Sequence, residues 1–469
     1  MKRLFSFIIL SLFLSSSFVN AQDIVQLIRF DSATLSEDSG ERVQTLTNPR
    51  MTMRNVTMVC DIAYRFLDRN EMHAFGNIQI DTDTENIWAD TLFYYTNQEL
   101  SELRGRVIIK QDSTTLFGEK VDYNFTTKVA IFPNGIRLED SQGTLLAKQG
   151  IYFQNQDSAV FRHEVQIQDS AQYAEGDSLF INREREYFQL YSNVFVADSS
   201  NEALLTGNYL EADSTGRRYV RDDAYLMDVE SDSSKSDTTH IFAGEILLLD
   251  QDSTSTIDAN DSVKVWTQRF SSLSDTLYYD SNSELFTLSG QPIAWNKDIQ
   301  LNGPFIFVQL DSSNVKSLRS FPGAFAVQQD SLTLRHHQLK GDTLFATFEN
   351  GDISVIELYP NSELLYHTAN DAGEPDGAME NASPKTILYF ENGELVRAKM
   401  GQNQGLFLPE YDGLKERQLD GYSWNPELRP QKPSSLPLPR FTPIPKERPF
   451  NLPLRYLNFI DEISSDQKK

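Results

Sequence analysis

Cysteine is nearly missing from this chain: Cys60 is the only one in 469 residues. A single thiol excludes a disulfide framework within one chain and any cysteine-rich zinc site. Positive charge is also scarce, with 42 Lys and Arg against 67 Asp and Glu and a formal net charge of −25. Phosphate binding needs a Lys/Arg footprint, so no nucleic-acid partner is expected. Hydrophobic residues make up 39%, below the ~45–50% of an average domain, although that count leaves out Gly. The six histidines, His73, His163, His240, His336, His337 and His367, show no metal-binding spacing, and GxSxG, phosphate-loop and GxGxxG motifs are all lacking. Asp81-Thr82-Asp83-Thr84-Glu85 opens like a calcium loop but has Asn86 where glycine is required. The reading is therefore no enzyme, no metal and no cofactor.

What the chain has is aromatic residues: 30 Phe, 19 Tyr and 4 Trp. Disordered chains are poor in these, so this one folds. Lys2 and Arg3 precede the apolar run Leu4 to Leu14, then a serine stretch and Val19-Asn20-Ala21. That is the pattern of a secretory signal peptide, residues 1–21, too short to span a bilayer. No later run approaches transmembrane length. An exported, acidic protein is expected.

Internal repeats decide the rest. A small residue, often followed by Asp or Glu, has an aliphatic residue three positions on and often an aromatic at five. Ala89-Asp90-Thr91-Leu92-Phe93-Tyr94, Gly118-Glu119-Lys120-Val121-Asp122-Tyr123 and Gly176-Asp177-Ser178-Leu179-Phe180-Ile181 all fit. The small positions 60, 89, 118, 147 and 176 are 29 residues apart. With insertions the phase continues through Gly207, Gly244, Ser274 (with Leu277 and Tyr279), Gly303 and Gly341.

Ahead of the small position lie the alternating pairs Ile78/Ile80, Val107/Ile109, Ile136/Leu138, Val165/Ile167 and Val263/Val265. Alternation with period two marks half-buried strands, and it puts Val107 and Ile109 inward with Arg106 and Ile108 outward. Polar turns such as Gln111-Asp112-Ser113 separate the strands. Between residues 75 and 350 no stretch has helical periodicity. Such units bury their apolar face only by stacking. About ten of them, roughly 29 residues each, predict an elongated all-β body on the order of 100 Å long. The column Tyr94, Tyr123, Tyr152 and Tyr279 reads equally as core packing or as the wall of an apolar groove.

The expected organisation is a signal peptide (1–21), an N-terminal lead-in (22–49), the repeat body (50–408, one body or two successive halves) and a tail (409–469). The tail holds ten of the 18 prolines, and between Tyr422 and Ile460 it has six Lys/Arg and two Glu. It reads as an extended segment lying over the acidic body or as a docking arm for a partner. Met51 and neighbours at one end of the body, and Thr386–Phe390 with Leu395-Val396 at the other, are the expected open strand edges.

The units Gly76-Asn77-Ile78-Gln79-Ile80 with Ala89–Tyr95, and Gly105-Arg106-Val107-Ile108-Ile109 with Gly118–Tyr123, resemble those of the OstA-like (organic solvent tolerance) family over roughly residues 50–350. That resemblance implies an OstA/LptA-like β-jelly roll whose apolar interior carries lipid acyl chains in the periplasm of a Gram-negative bacterium. It implies a bridge for lipopolysaccharide transport and outer-membrane assembly, with lipid A acyl chains as ligand. Other export components would join by β-edge pairing, and head-to-tail self-association is compatible with the same edges. The body is about twice as long as a bridge protein, and no membrane barrel follows it. The groove candidates are then Ile78, Ile80, Leu92, Tyr94, Val107, Ile109, Val121, Tyr123, Ile136, Leu138, Val165, Ile167, Leu179, Val263, Val265, Leu277 and Tyr279. The rival readings are a structural or adhesive β-solenoid, which would have a closely filled core, and a β-helix polysaccharide enzyme, which would need charged groups clustered on one face.

Overall fold

The computed structural model describes residues 26–451 apart from positions 39, 54, 199–201, 233–234, 252–253, 269, 312–313, 332, 350, 392–393 and 403. The expected signal peptide lies outside the described residues. Among those described there is no α-helix, only four single-turn 3₁₀ segments, and the fold is all-β as the repeats predict. The chain forms two compact units, one ending at Asp112 and one beginning at Ser113.

The ladders explain the 29-residue period. In the second unit, long strands such as Ser158–Gln168, Tyr187–Asp198, Arg217–Asp232 and Thr254–Trp266 each contain a register shift. At the shift two successive residues have positive φ: His163-Glu164, Ser192-Asn193, Asp222-Asp223 and Asp261-Ser262. Such a bulge bends the strand, and its two halves then pair in two layers. Beyond residue 285 the layers separate fully. One contains Leu285–Ser289, Phe305–Asp311, Asn314–Phe321, Thr343–Glu349, Asp352–Tyr359, Lys385–Glu391 and Glu394–Gly401. The other contains Ile293–Asn296, Ile299–Asn302, Ala324–Gln329, His336–Gly341, Ser362–Ala369, Pro375–Ser383 and Gln404–Pro409. The chain crosses between layers after every hairpin, and apolar residues from both layers meet in the interior.

The first unit repeats the same device. Strand Glu71–Asp81 shifts register between Phe75 and Ile78, where Gly76 and Asn77 have φ of 75° and 44°. Asp81–Asn86 is an ordinary turn, closed by Thr82 N donating to Glu85 O at 2.9 Å.

Two expectations need correction here. Ile108, assigned to the outward face, is only 1% exposed and pairs with the buried Trp88, so strand Leu100–Gln111 is buried on both faces over residues 107–109. The open edges are only partly where sequence order puts them: Leu395-Val396 lies in the edge strand Glu394–Gly401 as expected, but the other two segments do not. Arg50–Met53 is paired on both sides, and so is Lys385–Glu391. Among the described residues, the strands paired on one side only are Gln26–Arg29 and Ser32–Asp38 in the first unit, and Glu394–Gly401 and Gln404–Pro409 in the second.

After residue 409 the chain turns back as a strap across the outer face of the second unit, against the order of the strands. Buried side chains grip its main chain. Gln338 accepts from Leu419 N at 2.8 Å and donates to Arg417 O at 3.0 Å. Gln300 does the same to Asn425 N and Ser423 O, at 2.8 and 3.0 Å. Glu175 accepts from Arg440 N at 2.8 Å, and Arg137 donates to Pro445 O at 2.7 Å. Between Lys432, which sits over the Trp266 ring, and Arg440 at Glu175, eight extended residues cover about 25 Å at ~3.1 Å each. The five strand spacings between those anchors measure about 24 Å.

Candidate functional site

The repeat motif places its apolar residues on the inward face. In the first unit Ile78, Ile80, Leu92, Tyr94, Val107 and Ile109 are all buried. Ile80 and Ile109 both pair with Ile87, and Leu92 pairs with Ala74 and Leu103. In the second unit Val121, Tyr123, Ile136, Leu138, Val165, Leu179, Val263, Val265 and Leu277 are buried, while Ile167 and Tyr279 are half-buried. Leu138, Leu145 and Ile167 form one cross-strand row, and Ala259, Leu277 and Leu288 another.

The tyrosines put their rings in these rows and their hydroxyls at the margins. Tyr123 donates to Gln154 Oε1 at 3.4 Å, and Tyr152 to Asp157 Oδ1 at 3.3 Å. Burial, with Asp157 adding to it, pushes the Tyr152 hydroxyl up to about 12. Cys60 is buried, and burial with Asp61 nearby likewise pushes its thiol to about 12. A thiol held so far from ionisation is a packing group rather than a nucleophile.

The interior is not uniformly filled. In the second unit a cavity of about 70 Å³ runs between the layers from strand Arg217–Asp232 to strand Asn314–Phe321. Its walls include Leu226, Ile241, Leu288, Val308 and, from the expected set, Val265, Leu277 and Tyr279. Asp228, Thr239 and Thr267 supply its polar groups. A second cavity of about 30 Å³ lies further along, between Leu301 and Ala326 of one layer and Leu344 and Ile356 of the other. Leu226 and Ile241 escaped the repeat reading because the 37-residue step from Gly207 to Gly244 breaks the phase there, and Val308 lies in the 38-residue step from Gly303 to Gly341. Period-two alternation around Ile241 was the available signal.

Chemically the site is an apolar surface of aliphatic and aromatic side chains with carboxylate and hydroxyl groups in its lining, suited to holding hydrocarbon. Among the described residues no group of three His, Cys, Asp or Glu is placed to hold a metal ion.

The comparisons with known proteins bear on the same strands. Residues 22–177 match the family model described as OstA-like protein. The resemblance carried by the repeats is borne out over that stretch, which begins before the first repeat and ends within the second unit. The crystal structure of LptH from Pseudomonas aeruginosa, described as the LptA-homologous periplasmic component of the conserved lipopolysaccharide transport device, is also similar. The identity is 11%, over 30% of this chain and 96% of that chain, with a TM-score of 0.24. No curated protein matches.

Proposed function

We propose that this protein is a non-enzymatic lipid carrier of the periplasm, which holds the acyl chains of lipopolysaccharide in its apolar interior during transport to the outer membrane. The observation that carries the reading is the apolar cavity between the two layers of the second unit, in a chain whose first 177 residues include an OstA-like match. Burying hydrocarbon needs no catalytic group and follows apolar area, at roughly 25 cal/mol per Å². The net charge of −25 gives an anionic head group no long-range attraction. Affinity therefore comes from the chains.

On this reading the chain is exported by its N-terminal segment and meets other export components through its open strand edges. The test is photocrosslinking in growing cells from a photoreactive residue at Leu277 or Val265, with outward Tyr278 as control. Lipopolysaccharide adducts at the inward positions alone are expected, and their absence from every inward position overturns the reading.

One observation favours a second reading. Most inward side chains are nearly fully buried and the two cavities are small, as in a structural β-protein with a packed core. That reading predicts no lipid adduct at any position.

A further inference from the structure

The two interior cavities of the second unit share one lining residue, Phe270. It lines the first with Val265 and Leu277 and the second with Ala294 and Leu344. Phe270 lies in the turn joining Thr254–Trp266 to Ser271–Asp280, directly before Ser271, and is buried. Its backbone is fixed: Thr267 N donates to Phe270 O at 2.8 Å, and Phe270 N donates to Thr267 Oγ1 at 3.1 Å. Rotation about the side-chain bonds is left free, and the first of them, χ1, has discrete staggered wells.

We infer that Phe270 is a side-chain gate that divides the interior into two compartments and confines a bound acyl chain to the one lined by Leu226, Leu277 and Val308. This deepens the carrier reading above and rests on it. With the ring in its present position a chain in the first compartment ends against an aromatic edge. When the ring turns aside, the first compartment becomes continuous with the second. The compartments differ as well: the first has Asp228, Thr239 and Thr267 in its lining, and the second has Asn296. A single saturated chain in the first compartment therefore meets Phe270 at the turn that also carries Thr267.

The experiment uses the full-length protein and myristic acid with a diazirine at its methyl end, and maps adducts by mass spectrometry. In the wild type, adducts are expected on Phe270 and on first-compartment residues such as Leu277, with background only at Leu344, Ala346 and Ile356. In Phe270→Ala, adducts at Leu344 and Ile356 should rise to the level of those at Leu277. Phe270→Trp, which keeps the partition filled, should retain the wild-type pattern, and Phe270→Leu tests opening with a smaller packing loss if the alanine variant does not fold. Labelling of both compartments in the wild type, or none at Leu344 in a folded alanine or leucine variant, overturns the gate. No interior adduct in any variant overturns the carrier reading itself, and the gate with it.

Discussion

Asp61 accepts a 2.7 Å hydrogen bond at Oδ2 from the Nδ2 of Asn77, sixteen positions on, and Asn77 is itself left-handed with φ 44°. The pairing recurs as Asp31–Asn48 at 2.7 Å, Asp177–Asn193 at 2.8 Å and Asp342–Asn361 at 2.9 Å. Arg106 takes the asparagine's part toward Asp90, and its guanidinium holds that carboxyl below the usual range. The Asp of the repeat motif is thus a clamp. It binds the residue at the bend of the next strand.

The first prediction follows from that clamp. A Cβ added to Gly76 would fall 2.4 Å from Asp61 Oδ2, at φ 75°. Gly76→Ala should therefore cost more than the ~1–2 kcal/mol of left-handed strain alone. Asp61→Ala, which removes a partly exposed hydrogen bond, should cost about 0.5–1.5 kcal/mol. Asn77→Gly keeps the φ at no strain but loses the same hydrogen bond, so it should cost about as much as Asp61→Ala. Urea midpoints of the three variants rank these effects, and wild-type midpoints for Asp61→Ala and Asn77→Gly would remove the clamp.

The period of the fold was legible because Asp at the clamp and aliphatics on the inward face recur in phase. The bends themselves were not, because His163-Glu164, Ser192-Asn193 and Asp222-Asp223 have no residue type in common. The edges were in part misplaced because strands outside the repeat phase continue each layer: Gln26–Arg29 pairs outside Arg50–Met53, and Gln404–Pro409 pairs outside Pro375–Ser383. Phe270 sits in a turn, outside the repeat phase, and only the cavities on either side of it single it out.

Inward and outward positions should respond differently to charge. Val165 is fully buried and pairs with Gly176, whereas Arg162 on the same strand is exposed. Val165→Asp would bury an unpaired carboxylate and should unfold the second unit or lose several kcal/mol. Arg162→Asp should change stability by no more than about 0.5 kcal/mol. Thermal melts decide between them, and similar losses at both sites would mean a register wrong by one residue.

The strap should loosen when its clamps are cut. Gln300 is fully buried and makes two hydrogen bonds to strap main chain, with Trp295 Nε1 donating to the same oxygen at 3.2 Å. Gln300→Ala leaves a peptide N–H and a carbonyl without these partners, at a cost of about 1–3 kcal/mol. Together with Gln338→Ala it should expose residues 410–451 to limited proteolysis while the strands stay resistant. Unchanged cleavage would mean that the flanking ion pairs, Arg335–Glu410 and Arg440–Asp177, hold the strap alone.

Acid should weaken the second unit through His337 and His367. Burial holds both well below the usual histidine range, at about 4, with neighbouring His336 and Arg335 adding to the depression and Asp330 and Glu410 opposing it. The folded state therefore binds fewer protons than the unfolded one between the two pKa values. Stability is complete above about pH 6.5 and falls as pH drops toward 4, by up to about 3 kcal/mol for each residue. His367→Phe, which removes two buried nitrogens lacking hydrogen-bond partners, should flatten the dependence of the melting temperature on pH over that window. A variant as acid-sensitive as the wild type would assign the effect to other groups.

The last prediction concerns the open edges, where assembly would take place. Strand Gln404–Pro409 pairs on one side with Pro375–Ser383 and, among the described residues, with nothing on the other. It exposes Leu406 at 60% and Phe407 at 52%. At the start of the first unit Gln26–Arg29 and Ser32–Asp38 are in the same situation, with Ile28 and Leu35 exposed. Unpaired edges bearing apolar side chains invite another strand, and lysine on an edge discourages one. Replacing Leu406 and Phe407 with lysine should abolish crosslinks to the partner at that end and leave circular dichroism unchanged. Ile28→Lys with Leu35→Lys should do the same at the other end. Leu388→Pro is the contrast: it removes a donor from a strand paired on both sides and should unfold the neighbouring strands instead. If crosslinks survive lysine at both ends with the fold intact, the partners do not join through these edges.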